Sequence, residues 1–240
     1  MQNCKTSENQ TMCRILRIAC ATALAVAFTV ALPQPARAAN VTPPRVPPNI
    51  EVPTGNTLFL VGHGVGTQNY ICLPCPNPST ATCPDTSGFA YILFTPEATL
   101  FEPEDNTKQL ITHFFSPNRN PTESGENEGT IRVTWQDSQD TSTVWAKLNI
   151  NPDGSAASAS ASSDPTFVAK GAVNWLLLKA VGAEVGPTGG DTLSDTTFIQ
   201  RLNTSGGLAP TDCASSADVG KQAFEPYTAD YFFYKAADDN

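Results

Sequence analysis

Residues 196–213 read TTFIQRLNTSGGLAPTDC. The stretch opens as an apolar strand pattern and carries Arg201 where its neighbours suggest burial. It then bends at Gly206-Gly207 and runs through Pro210 to Cys213. A buried charge needs a partner, a glycine doublet marks a sharp turn, and a cysteine offers a cross-link. No other stretch joins core, charge, turn and staple so closely.

Outward from it, the chain is a series of short strand patterns. Residues 57–61 (TLFLV) and 66–72 (GTQNYIC) read as a hairpin turning at Gly62-His63-Gly64. In the second arm Gln68, Tyr70 and Cys72 share a face. Residues 89–94 and 110–115, the latter carrying His113, read as further strands. Residues 130–135 and 141–150 alternate and pair across 136–140. Residues 172–185 contain Trp175-Leu176-Leu177-Leu178, a buried strand or a short helix. Near the C-terminus Tyr227, Ala229, Tyr231 and Phe233 fall on one face of a strand, with Phe232 and Tyr234 on the other. Twenty prolines, 16 glycines and little helical periodicity point to an all-β, single-domain antiparallel sandwich or barrel with long loops and at most short helices. Residues 118–129 are polar and read as a mobile loop. Residues 151–164 (NPDGSAASASASSD) read as a flexible low-complexity excursion.

The first 38 residues have the order of a signal peptide: basic Arg14 and Arg17, an apolar run over 18–32, and Ala36-Arg37-Ala38 as a cleavage site. Cleavage removes Lys5, Arg14, Arg17, Arg37 and Glu8, leaving 10 basic against 22 acidic residues. With no basic stripe, neither nucleic acid nor an anionic membrane is an expected partner, and the export reading places the chain in a periplasmic or extracellular setting as a monomer. Residues 39–51 form a proline-rich leader, expected to be extended and poorly packed, before a β-rich domain over 52–240.

Cys4, Cys13 and Cys20 leave with the signal, and Cys72, Cys75, Cys83 and Cys213 remain. An even count in an exported chain points to two disulfides, for which three connectivities exist. The preferred one is Cys72–Cys213 with Cys75–Cys83. The chain-entropy model gives about 5 kcal/mol for the long link and about 2.5 kcal/mol for the short one. Cys72-Leu73-Pro74-Cys75 has redox spacing, but Pro76 and Pro78 deny the first thiol the helix N-terminus such chemistry uses.

The combination Gly66-x-Gln68-x-Tyr70-x-Cys72, Pro96-Glu97-Ala98-x-Leu100, His113, Trp175–Leu178, Ile199-Gln200-Arg201-Leu202-Asn203-Thr204-x-Gly206-Gly207, Pro210, Cys213 and Pro226-Tyr227-x-Ala229-x-Tyr231-x-Phe233 resembles the domain of unknown function 3455 family. The resemblance covers about residues 52–234. It departs after His113, where the family tends to Gly-Pro and a tryptophan and this chain has Phe114-Phe115-Ser116-Pro117. It implies a β-rich exported domain and no established activity.

Candidate chemistry is sparse. Gly62-His63-Gly64-Val65-Gly66-Thr67 fails the dinucleotide fingerprint, having Thr67 at its last position and a strand pattern where a helix is required; no cofactor is expected. His63 and His113, the histidines, stand apart without metal-ligand spacing, so no metal is expected either. No G-x-S-x-G element is present. Glu97 sits among apolar residues, and a structural Glu97–Arg201 pair would satisfy both. The polar cluster to watch is Gln68, Tyr70, Glu97, His113, Arg201 and Asn203. The leading expectation is a disulfide-stapled binding or envelope domain, with a polar ligand such as a carbohydrate stacking on Tyr70 or Tyr231. The competing one is an extracellular hydrolase or metal-dependent oxidoreductase centred on His113.

Overall fold

The computed structural model describes residues 42–75 and 88–237, which lie in one compact unit. Eight strands make a closed antiparallel barrel: β1 (Asn56–Pro74), β2 (Phe89–Glu102), β3 (Asp105–Pro117), β4 (Ile131–Asp137), β5 (Thr143–Leu148), β7 (Trp175–Glu184), β8 (Thr196–Gly206) and β9 (Gln222–Ala236). The two-residue β6 (Ser158–Ala159) adds to the edge of β7. Each barrel strand pairs with the next in sequence. The ring closes because β9 pairs with β1 and β5 with β7. Among the described residues the helical segments are two three-residue 3-10 turns, at Pro48–Ile50 and Ser216–Asp218, and no helix is long and apolar enough to cross a membrane.

Strand alternation sorts the apolar residues into two clusters. The inward set, including Leu60, Leu100, Ile111, Trp135, Ile199 and Phe233, fills the barrel. The outward set, including Val61, Trp175, Leu177, Leu202, Phe232 and Tyr234, lies on the opposite face of the same strands. That outer cluster is covered by stretches expected to be loose. Ile50 is 0% exposed and its carbonyl accepts from Gln200 Nε2 at 2.7 Å, and Val46 packs against the same cluster, so the described end of the proline-rich leader is packed. Ala157 and Ala159 are buried as well. Small side chains let residues 151–164 lie close against the barrel wall, so they are a cover and not a flexible excursion. The polar loop 118–129 is likewise pinned. Asn118 is buried and donates to Val181 O, and Glu126 pairs with Arg132.

The expected turn at Gly62-His63-Gly64 does not form, and β1 runs straight through it, paired on both sides. Gly62, Gly64 and Gly66 alternate onto one face, and partners distant in sequence take up the missing side chains. A Cβ at Gly64 would meet the Tyr231 ring at 2.9 Å, and one at Gly66 would meet Glu97 O at 2.0 Å. Glycine in a strand interior marks such close approach. Gly206 and Gly207 do bend the chain, at φ of 68° and 81°.

Cys72 and Cys213 are bonded, with Cα atoms 5.6 Å apart. The expected Cys75–Cys83 link involves Cys83, which lies outside the described residues, as do residues 1–38 of the expected signal peptide.

Candidate functional site

A cavity of about 340 Å³ opens inside one end of the barrel. Its polar wall comes from five strands: Gln68 and Tyr70 on β1, His113 on β3, Trp135 on β4, Arg201 on β8 and Tyr231 on β9. Leu93, Phe115, Val133 and Leu178 supply apolar surface, and exposed Leu208 stands at the edge. Strand parity does the positioning. Ile199 and Arg201 point into the barrel, as do Ile111 and His113, but the second of each pair lies nearer the open end.

Arg201 is anchored without being neutralised. Its Nε and Nη2 both donate to the Asn174 carbonyl, at 3.2 and 2.9 Å. Among the described residues no carboxylate lines the cavity, and Arg201 takes part in no ion pair. Its charge is felt around the wall. Burial pushes the phenols of Tyr70, Tyr227 and Tyr231 up, and Arg201 pulls each partly back. Glu225 acts on Tyr70 in the opposite sense to Arg201 and is the cross-strand neighbour of Gln68.

His113 lies at the inner end, 2% exposed. Its ring stacks on Trp135 with centroids 4.5 Å apart and leans on Tyr231 at 5.2 Å. Nδ1 is 2.9 Å from the Thr134 carbonyl. A carbonyl only accepts, so the proton is on Nδ1 and the lone pair on Nε2. Burial, reinforced by the Arg201 charge, pushes the His113 pKa down to about 3, and the ring is neutral at pH 7. A base held that far below neutrality is poorly matched to proton transfer.

Two residues of this wall hold orphaned donors. Gln68 Nε2 and Trp135 Nε1 are buried and make no hydrogen bond. The Gln68 amide lies close enough to the Tyr227 hydroxyl to influence it, but Nε2 reaches no acceptor with hydrogen-bond geometry. The tyrosines are served: Tyr70 donates to Gly207 O at 2.7 Å, and the Tyr227 and Tyr231 hydroxyls share a bond at 3.1 Å. Other orphans, Asn69 Oδ1 and Trp175 Nε1, belong to residues that do not line the cavity.

Of the six polar residues singled out, the fold brings Gln68, Tyr70, His113 and Arg201 together and excludes Glu97 and Asn203. The expected Glu97–Arg201 pair is not made. Pro96 is opposite Gln68 and faces the cavity, so Glu97, one residue on, points outward and is exposed. A groove of about 400 Å³ has both Glu97 and His113 on its walls, but the His113 ring is on the inner side, stacked on Trp135. Asn203 lies outside as well, at a bulge of β8 with φ of 51°. There it donates to Asp230 Oδ2, while His63 Nδ1 contacts Asp230 Oδ1 at 2.7 Å. Tyr70 and Tyr231 are buried, so neither offers a flat outer surface for stacking.

Trp135 and Asn174 were missed by the sequence reading. Trp135 had a usable signal: it alternates with Val133 on an apolar face. Asn174 had none, since it contributes a backbone carbonyl. Among the described residues no group of three or more His, Cys, Asp or Glu side chains comes together as a metal site.

A family model described as "Protein of unknown function (DUF3455)" matches residues 53–235. No curated protein and no solved structure matches the chain.

Proposed function

The chain belongs to this DUF3455 family of unknown function, and we propose that it is an exported, disulfide-stapled binding protein that holds one small molecule in the open end of its barrel. The observation that carries the reading is the pair of buried, unpartnered donors, Gln68 Nε2 and Trp135 Nε1, on residues that line a cavity. A buried donor left unsatisfied costs about 1–3 kcal/mol. A folded chain rarely keeps two on one wall unless something else accepts from them. Eight-stranded barrels are just wide enough to be filled by side chains or to hold one small ligand, and about 340 Å³ lies at the small end of ligand pockets. The neutral, buried His113 favours binding over acid–base catalysis.

The test is a fragment screen read by thermal shift and by the Trp135 indole N–H resonance. Binding fragments should raise Tm and move that resonance, and a Trp135→Phe variant should identify it. A diverse library in which no member moves it would sink the reading. Export is tested separately: N-terminal sequencing of protein secreted by a bacterial host should begin at Ala39.

A further inference from the structure

A small molecule in the barrel end still leaves the ligand's chemistry open. Resting on that reading, we infer that the ligand is a monocarboxylate with a compact apolar body, its carboxylate seated on Arg201.

The wall of the cavity is one-sided. Among the described residues its lining carries one fixed positive charge and no carboxylate, and two of its residues, Gln68 and Trp135, hold buried donors without a partner. Arg201 spends two of its N–H groups on the Asn174 carbonyl, a neutral acceptor that leaves the charge uncompensated. A guanidinium has five donors in a planar fork whose natural complement is a carboxylate or a phosphate. The single charge decides between them. His113 is neutral and adds no second cation, so the wall matches one negative charge, where a phosphate brings up to two and wants more donors. The remaining lining, with Leu93, Phe115, Val133 and Leu178, suits hydrocarbon and not a polyhydroxylated sugar. A volume equal to about eleven waters has room for a compact body such as benzoate or hexanoate.

The acidic surface does not forbid this. Exposed charges are screened beyond about 8 Å at physiological salt, whereas Arg201 acts at short range in a partly water-excluded end. Among the described residues Glu225 is the acid whose field reaches this wall at Tyr70. It lies outside the lining, so its removal should tighten binding of an anion.

The experiment uses the purified protein and four probes: benzoate and hexanoate, each against its amide, benzamide and hexanamide. Titrations are followed by calorimetry and by the Trp135 indole resonance. Both acids should bind at least about tenfold tighter than their amides, the margin of a charge-assisted hydrogen bond. Arg201→Met should abolish the preference, and Arg201→Lys should restore part of it. Amides binding as well as the acids would overturn the carboxylate assignment while leaving a binding barrel intact. Silence from all four probes, with the indole unmoved, would overturn the monocarboxylate assignment, and the fragment screen then decides the binding reading by itself. Should Arg201→Met fail to fold, the acid-to-amide ratio on the unaltered protein decides alone.

Discussion

The two ends of this barrel are built from the same strands and differ in almost everything else. At the closed end Leu60, Leu100, Ile199 and Phe233 interdigitate, and Phe233 meets Phe59 and Trp135 edge-on at 6.5 and 6.1 Å. At the open end the inward positions are Arg201 on β8, two residues beyond Ile199, His113 on β3, two beyond Ile111, and Gln68 on β1, beyond three inward glycines, all arranged around a void. Trp135 is the partition, taking the Phe233 edge on one side and the His113 face on the other. The lesson is a division of labour: one end supplies stability, and the other holds polar groups the closed end could not tolerate.

Breaking the closed end, or the staple across the open one, should give the largest effects. Replacing Cys72 and Cys213 by alanine removes a link spanning 141 residues, which the chain-entropy model values at up to about 5 kcal/mol. Denaturant unfolding should show the loss, and ligand affinity should fall too, because the bond ties the segment after Leu208 to the strand carrying Tyr70. Phe233→Ala should cost about 3–5 kcal/mol by the same measurement and leave the acid-to-amide preference unchanged. A change in that preference would mean the ends are not separate.

His113 sharpens the comparison through pH. Its folded-state pKa, about 3, lies below the ordinary 6.5, so the unfolded chain takes up its proton first as pH falls. The stability it contributes is complete above about pH 6.5 and is lost progressively toward pH 3. Between pH 7 and pH 5 the loss is about 2 kcal/mol. A His113→Gln variant should lack that part of the acid slope in parallel melts. An unchanged slope would show that the ring is not held neutral. The smallest effect has the opposite sign. Gln68→Leu removes an orphaned buried amide and should stabilise the empty protein by about 1 kcal/mol while weakening its ligand, as expected where function and stability compete.

Much of the wall was readable before the fold was known. The aromatic alternation near the C-terminus separates Tyr227, Tyr231 and Phe233 from Phe232 and Tyr234, and the barrel keeps the two sets on opposite faces. Cys72 and Cys213 pair as expected. The glycine run was misleading because glycine serves a turn and a close approach equally well. Only Tyr231 and Ala98, packed against Gly64 and Gly66, decide for the second. Glu97 failed as a partner for Arg201 for a related reason: both look buried by local composition, but a one-residue difference in parity puts them on opposite sides of the wall.

Local chemistry alone marked out most of the strands, because a period of two is a property of neighbouring residues, and it offered the Cys72–Cys213 staple as the preferred one of three connectivities. What the tertiary structure decided is which face of each strand is enclosed. Alternation names two faces without ranking them. Only the pairing of β1 with β9 and β5 with β7 closes the ring, and with it Arg201, His113 and Gln68 acquire a common interior.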